Sequence, residues 1–375
     1  MTDVLTADPA AVSSGLGGLL EFEKPLARIQ HDVEEMEREQ RDTGRDLSAD
    51  IKQQRTRLRT TMRRLYANLT PWETVLVARH PKRPHSTDYI KTVFRDFCEL
   101  HGDRTFSDDR ALITGFARIG GHHVMFIGHN KGKDIKERMA CNFGCAHPEG
   151  YRKALLKMRL AEKYGLPVVC LIDTQGAYPG VGAEERGIAH AIAVNLMEMS
   201  RLRTPIISVV IGEGGSGGAL GLGVADRVAM FQHSFYSVIS PEGCAAILWK
   251  TADRRKHAAD ALKLTAKDLS RLEIIDEIIP EPVGGAHRAP EVAAANLEKY
   301  LNSTLTSLKR QRIDTVIARR GDRLRHLGNF YEAPGETPRS PQRRTARRAT
   351  SRTSRVGTRM PQTRATSDQT VSTAG

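Results

Sequence analysis

Cysteine and aromatic residues are scarce in this 375-residue chain, and long apolar runs are absent. The five cysteines are scattered, and no two have the Cys-x-x-Cys spacing of a zinc ribbon. This usage is typical of reduced thiols, so we expect a cytoplasmic protein with no metal of its own. No stretch of about 18 apolar residues is present, which argues against a membrane-spanning helix. The first 20 residues also lack the basic segment of a secretory signal.

Acidic residues are nearly missing from the carboxyl-terminal end, although the whole chain carries a net charge of +13. Residues 333–375 contain nine arginines against Glu336 and Asp368, and they are rich in Pro, Ser and Thr. We predict a disordered tail over 328–375 and a flexible leader over 1–20. Nucleic-acid binding by the tail is an alternative that rests on phosphate attraction alone, because no aromatic residue lies among these arginines for base stacking.

Helical periodicity dominates residues 21–80. Two apolar stripes, with residues spaced by three, four or seven, flank Thr43-Gly44, which predicts an antiparallel helical hairpin. Thr70-Pro71-Trp72-Glu73 then has the pattern of a capping box with proline in the first turn, so a helix is predicted to begin there. A further helix is predicted over Thr87–Leu100.

Residues 81–327 alternate between strand and helix patterns, which predicts an α/β fold with parallel crossovers. Gly120-Gly121 is predicted to form a hairpin turn, and Gly165 is predicted to end a helix that begins at Pro148. A longer helix is predicted over 183–201. The predicted strands are Ala111–Ile119, Val124–Ile127, Val168–Ile172, Ile206–Ile211, 227–231, 235–239 and 274–279.

Two of these strands each lead into a glycine-rich loop and then a helix. Ile206–Ile211 precedes Gly212-Glu213-Gly214-Gly215-Ser216-Gly217-Gly218, and Val168–Ile172 precedes Asp173-Thr174-Gln175-Gly176-Ala177-Tyr178-Pro179-Gly180. Unpaired N–H groups at a helix start, with no Cβ atoms in the way, stabilise negative charge on a ligand. Because the carboxyl ends of strands form the usual ligand edge of an α/β sheet, we predict the site there.

Longer motifs carry a resemblance to one family. They are Lys-Gly-Lys (131–133), Asn142-Phe143-Gly144, His147–Lys153, Gly176–Gly187, Gly212–Ala219 and Ser237–Cys244. With them, the chain resembles, from Phe22 to Leu327, the α subunit of the carboxyltransferase of bacterial and plastid acetyl-CoA carboxylase. The resemblance implies a crotonase-type (ClpP/crotonase-like) fold of repeated ββα units after an N-terminal helical hairpin.

The resemblance also implies an activity and its partners. The carboxyl group of carboxybiotin, carried on the biotin carboxyl carrier protein, would be transferred to acetyl-CoA, giving malonyl-CoA for fatty acid synthesis. The chain would form an α2β2 assembly with a β subunit that carries the zinc, and biotin carboxylase would complete an ATP-dependent complex.

Site residues follow from the same resemblance. Gly217 and Gly218 are expected to lie nearest the biotin ureido oxygen, as an oxyanion hole of backbone N–H groups, with Gly214 and Gly215 shaping the loop. A side chain at Gly218 is expected to fill this site. The predicted substrate-binding residues are Gly176, Ala177, Tyr178, Gly180, Lys131, Lys133 and Arg152. The last three would attract CoA phosphates or the carrier domain, or would simply form a solvated basic surface.

Three residues depart from the family pattern, and one motif separately supports an alternative function. Gln175 replaces a proline, and Cys141 and Cys145 stand where Arg and Met are more common. Gly214-x-Ser216-x-Gly218 also matches the nucleophile elbow of serine hydrolases, for which His190 or His233 would be the base. A crotonase-fold serine hydrolase using Ser216 is therefore the second hypothesis.

Overall fold

The computed structural model describes residues 20–327, so the predicted leader up to residue 19 and the predicted tail lie outside the described residues. The helices in this range are α1 (Lys24–Thr43), α2 (Ser48–Ala67), α3 (Pro71–Ala78), α4 (Ser86–Thr92), α5 (Ile135–Ala140), α6 (Pro148–Tyr164), α7 (Val181–Glu185), α8 (Ile188–Arg201), α9 (Ser216–Leu220), α10 (Pro241–Trp249), α11 (Arg255–Leu262), α12 (Ala266–Arg271), α13 (Pro290–Lys309) and α14 (Ile313–Arg325). The strands are β1 (Arg95–Glu99), β2 (Leu112–Ile119), β3 (His122–His129), β4 (Val168–Thr174), β5 (Ile206–Gly215), β6 (Arg227–Phe231), β7 (Phe235–Ser237) and β8 (Glu277–Ile279). None of the helices between residues 20 and 327 is both long and apolar enough to cross a bilayer.

One mixed sheet organises the described chain. Its order is β1-β2-β3-β4-β5-β6-β8, and β7 pairs with the far end of β5. β1, β2 and β3 pair antiparallel, whereas the later pairs are parallel. Every residue of β4 and β5 is buried, since helices α6 and α8 contribute to the core on one face and α4 and α13 to the core on the other. This is why both strands are continuous apolar runs in the sequence.

The N-terminal helical hairpin is confirmed. α1 ends at Gly44, which has a φ of 69°, and α2 returns beside it. Val33, Leu47 and Ile51 form a small apolar core near the turn. At the other end of the hairpin, the buried Glu23 contacts the main body through an ion pair with Arg288 at 2.5 Å.

The helix predicted over Thr87–Leu100 is wrong in its second half. α4 ends at Thr92, and the chain then forms β1, which pairs with β2. Phe94 and Phe97 have helical spacing, but both pack edge-to-face on Phe126 of β3. Pairing with the edge of the sheet therefore overrides the local pattern.

Other predicted elements change at their ends. The helix predicted over 183–201 is divided into α7 and α8 at Gly187, which has a φ of 77°. The strands predicted over 235–239 and 274–279 are shorter, as β7 and β8. β5 instead extends past Ile211 into the glycine motif, because β7 pairs with it there. This extension determines the shape of the site.

Candidate active site

The two predicted glycine loops lie side by side at one edge of the sheet. β4 and β5 are neighbouring parallel strands, and Thr174 at the end of β4 is opposite Gly214 near the end of β5. Residues 175–180 follow β4, and α9 begins directly after β5. The structure therefore brings the predicted glycines of both loops together.

Gly215 and Gly218 place the two loops in backbone contact. A Cβ at Gly215 would lie 2.0 Å from the carbonyl oxygen of Gln175, and a Cβ at Gly218 would lie 2.3 Å from the carbonyl carbon of Gly176. These positions accept only glycine unless a loop moves. A side chain at Gly218 was predicted to fill the oxyanion site. In the structure it would first collide with the backbone of Gly176, so its predicted effect has a different cause.

Gly176 and Gly217 have room for a Cβ instead. A Cβ at Gly176 would meet no described atom within 4 Å, and a Cβ at Gly217 would meet Ile192 Cδ1 at 3.6 Å. Gly217 lies in the first turn of α9, where N–H groups have no partner inside the helix. A ligand oxygen can therefore approach this amide without meeting a side chain at the glycine itself.

Ser216 lacks the surroundings of a hydrolase nucleophile. Its side chain is exposed and its φ is 48°. His190 is exposed on α8, and His233 is buried with its ring 5.5 Å from that of Tyr66. Within residues 20–327 neither histidine hydrogen-bonds to Ser216, whereas an activated serine needs a base within reach. The serine hydrolase hypothesis is not supported.

Tyr178 shapes the loop that follows β4. Its ring stacks on His147 with centroids 4.1 Å apart, and a Cβ at Gly180 would lie 2.4 Å from its Cε1 atom. The Tyr178 amide donates to the Ala146 carbonyl oxygen at 3.0 Å, while Ala177 packs against the core. These contacts hold the loop against the N-terminal end of α6.

At the starts of both loops lies a group of ion-paired side chains that we call the charge cluster: Arg79, Lys131, Asp173 and Glu213. The two carboxylates are buried, and the two cations are partly exposed. Lys131 Nζ lies 2.9 Å from Asp173 Oδ1 and 2.5 Å from Glu213 Oε1, and Arg79 Nε lies 2.7 Å from Glu213 Oε2. Burial raises the pKa of Glu213, but Lys131 and Arg79 together lower it to about 2. Burial likewise lowers the pKa of Lys131, and the two carboxylates raise it above its ordinary value. Both shifts favour the charged forms of Glu213 and Lys131.

The other two predicted basic residues pair with different acids. Arg152 Nη2 lies 2.8 Å from Asp103 Oδ2 and 3.0 Å from Glu149 Oε1, and Lys133 pairs with Asp88. The structure thus distributes the three basic residues over three ion-pair groups. A role for each of them in substrate binding stays a prediction.

Cys141 and Cys145, which depart from the family pattern, do not have the surroundings of reactive thiols. Cys141 is buried and accepts a hydrogen bond from Asn130 Nδ2 at 3.1 Å, and burial raises the pKa of Cys145 to about 11. A protonated thiol is a poor nucleophile and metal ligand. In the described part of the chain, no three His, Cys, Asp or Glu side chains are grouped so that they could hold a metal. Gln175, the third departure from the family pattern, is exposed at the start of the loop that follows β4.

Sequence reasoning missed most of the charge cluster. Asp173 and Glu213 each follow a buried apolar strand and stand just before glycines, and this pattern was a usable signal. No sequence signal pointed to Arg79, because 134 residues separate it from Glu213. Its Nη1 atom also lies 2.6 Å from Glu242 Oε1, which connects the cluster to the start of α10.

A family model described as acetyl co-enzyme A carboxylase carboxyltransferase-like matches residues 19–328. The chain belongs to this family. Two proteins called acetyl-coenzyme A carboxylase carboxyl transferase subunit alpha are close relatives. The one from Rhodopirellula baltica is 51% identical over 313 residues, covering 84% of this chain and 98% of the relative. The one from Burkholderia multivorans is 53% identical over 317 residues, with the same coverage.

Among solved structures, transcarboxylase 12S with bound methylmalonyl-CoA is similar to this carboxyltransferase-family chain. The TM-score is 0.51 at 20% sequence identity, and the match covers 62% of this chain and 43% of that chain. A likeness of this kind concerns the fold. Together with the mixed sheet and its covering helices, it confirms the predicted crotonase-type α/β fold.

Proposed function

We propose that this chain is the α subunit of an acetyl-CoA carboxylase carboxyltransferase. It would transfer the carboxyl group of carboxybiotin, presented by the biotin carboxyl carrier protein, to acetyl-CoA. The observation that supports this most is the pair of glycine loops, which touch at Gly215 and Gly218 and leave Gly176 and Gly217 open. Their presence in a chain about half identical to named α subunits gives the site its chemical interpretation.

The loops can perform the electrostatic part of this reaction. Carboxyl transfer from the biotin nitrogen moves negative charge onto the ureido oxygen as the N–C bond breaks. Backbone N–H groups of the first turn of α9, with Gly217 and Gly218 nearest, would donate hydrogen bonds to that oxygen. Gly176, Ala177, Tyr178 and Gly180 would line the same cleft. Preorganised amides need no reorganisation as the charge develops, which is why a cleft built of backbone suits this step.

A complete site would include a partner subunit. We propose an α2β2 assembly in the cytoplasm, in which a zinc-bearing β subunit stabilises the enolate of acetyl-CoA while this chain holds the biotin ring. Biotin carboxylase would regenerate carboxybiotin on the carrier protein. Of the three predicted basic residues, Lys133 and Arg152 remain candidates for attracting CoA phosphates or the carrier, through the positive potential of this surface. Lys131 is less suited to that role, because its ammonium group is already paired with Asp173 and Glu213.

The reverse reaction tests the function directly. Malonyl-CoA-dependent carboxylation of free biotin would be followed as acetyl-CoA release, with this chain alone and with a purified zinc-bearing β subunit. We expect release from the mixture only. Release by this chain alone would mean that it contains both oxyanion sites, and no release from either sample would contradict the proposal.

Gly217→Ala provides the first variant. Its methyl group has room within the chain and the backbone N–H is kept, so the fold should be retained. If a ligand oxygen binds this amide as proposed, the methyl group would hinder its approach, and we expect kcat/KM in the reverse reaction to fall by roughly 100-fold, the size of effect typical of weakening one oxyanion contact. Gly121→Ala is the matched control, because a Cβ at Gly121 has room too, with no described atom within 4 Å, and Gly121 lies in the β2–β3 turn. Equal activity of the two variants would remove Gly217 from the site.

A further inference from the structure

The charge cluster joins the two strand ends from which the glycine loops depart. Asp173 is the penultimate residue of β4, and Glu213 is two residues from the end of β5. Lys131 Nζ contacts both carboxylates, and the Glu213 amide donates to Asp173 Oδ1 at 2.9 Å. A single ammonium group thus bridges the ends of two neighbouring strands.

The bridge lies where the backbone ladder between these strands is irregular. Ile172 is opposite Val210, but Thr174 is opposite Gly214, so β5 has two more residues than β4 in this interval. The regular hydrogen bonds of a parallel pair are interrupted by such a shift. Side-chain contacts from Asp173 replace them, and a Cβ at Gly212 would lie 2.6 Å from its Oδ1 atom.

The position of Lys131 does not suit contact with a phosphate. Its side chain is 14% exposed, and its ammonium group already has two carboxylate partners. Arg79 provides a second cation to Glu213 and connects it to Glu242 on α10. Freeing Lys131 for a ligand would leave Asp173 without its ammonium partner in a buried place, which is costly.

We propose that Lys131 is a positioning residue, which acts through Asp173 and Glu213 to set the separation of the two glycine loops and makes no contact with CoA. The inference rests on the proposed carboxyltransferase function. Its structural basis is the bridge between β4 and β5 at the interrupted part of the ladder. If the bridge is lost, the loops should keep their sequence and chemistry but lose their fixed mutual distance.

Lys131→Met tests the proposal in the full chain assembled with a β subunit. We expect kcat of the reverse reaction to fall by roughly 100-fold, because small misplacements of reacting groups have effects of this size, with an unchanged KM for malonyl-CoA. Hydrogen–deuterium exchange should rise in both loops, at 175–180 and 214–220. Lys136→Met is the matched control, since this lysine lies exposed on the nearby α5, and it should change neither measurement.

A second variant addresses misfolding. Lys131→Met combined with Glu213→Gln removes one charge of each sign, so it retains charge balance while lacking the bridge, and it should show the same raised exchange and low kcat. A raised KM for malonyl-CoA with unchanged kcat would overturn the proposal, as would unchanged exchange in both loops. If the unmodified pair of subunits is inactive, the proposed function fails, and the exchange data alone decide the role of Lys131.

Discussion

Glycine serves two different purposes among the residues of the candidate site. At Gly215 and Gly218 it allows two backbones to touch, whereas at Gly176 and Gly217 it leaves a surface open to a ligand. The sequence shows the same residue type in all four places. Substitutions should therefore separate into those that displace a loop and those that obstruct a ligand.

Ser216 is predicted to be dispensable for catalysis. Its hydroxyl makes no hydrogen bond to a histidine within residues 20–327, so Ser216→Ala should change kcat/KM of the reverse reaction by less than about threefold, which corresponds to under 1 kcal/mol. Steady-state kinetics with the assembled subunits would measure this. A loss of several orders of magnitude would restore the nucleophile hypothesis.

Glu213 should make stability depend on acid pH. Its pKa in the folded chain is about 2 against an ordinary value of 4.5, so its contribution is complete above about pH 4.5 and is lost as the pH falls towards 2. We expect the free energy of unfolding to decline by on the order of 3 kcal/mol over this range through this group.

Urea unfolding at pH 5, 4 and 3 would measure this contribution. Glu213→Gln should show a shallower decline than the unmodified chain. Glu34→Gln, at an exposed position of α1 without an ion pair to any described residue, should decline as the unmodified chain does. Parallel curves for all three proteins would contradict the assignment.

Element boundaries in this chain depend on both local and distant contacts. The start of α3 was correctly predicted, because a capping box is a local interaction: Glu73 N donates to Thr70 Oγ1 at 3.2 Å and Thr70 N donates to Glu73 Oε2 at 2.8 Å. The end of α6 at Gly165, with a φ of 63°, was equally local. The end of α4 was not, because it depends on β1 pairing with a strand later in the sequence.

Thr70→Ala should lower the free energy of unfolding by about 1 kcal/mol, since it removes an N-cap. Denaturant unfolding of the full chain would measure the change. Thr60→Ala is the control, because Thr60 is exposed within α2 and has no side-chain partner among residues 20–327, so its replacement should not destabilise the chain. Equal losses for the two variants would argue against the capping role.

At the scale of the whole molecule, one buried arginine connects the last described helix to the sheet. Arg320 on α14 is 1% exposed and donates to both oxygens of Asp226 at 2.8 and 2.7 Å. It also donates to the carbonyl oxygens of Met199, Leu202 and Thr204. These contacts attach α14 to the end of α8 and to the residues that precede β5.

Arg320→Met should therefore lower the free energy of unfolding by about 3–5 kcal/mol, because Asp226 would remain as a buried charge without its partner. Thermal or denaturant unfolding would show this. Arg319→Met, at the exposed neighbouring position, should have a much smaller effect. Similar melting temperatures for the two variants would contradict a central role for Arg320.

The sequence by itself determined the elements that depend on neighbouring residues and on motifs. The helical hairpin, the buried strands β4 and β5, the capped helices and the carboxyltransferase resemblance all follow from local patterns and long glycine motifs. The adjacency of the two glycine loops followed as well, because neighbouring parallel strands present their carboxyl ends at one edge.

Only the tertiary structure decided what separate segments do together. It showed that part of a predicted helix is the strand β1 and that β5 continues into the glycine motif. It also distinguished the glycines that touch a backbone from those that have room for a Cβ. It also gave Lys131 two buried carboxylate partners from different strands. Ion pairs and backbone contacts between residues far apart in the chain leave no periodic trace in the sequence, so they become visible only when the segments are packed.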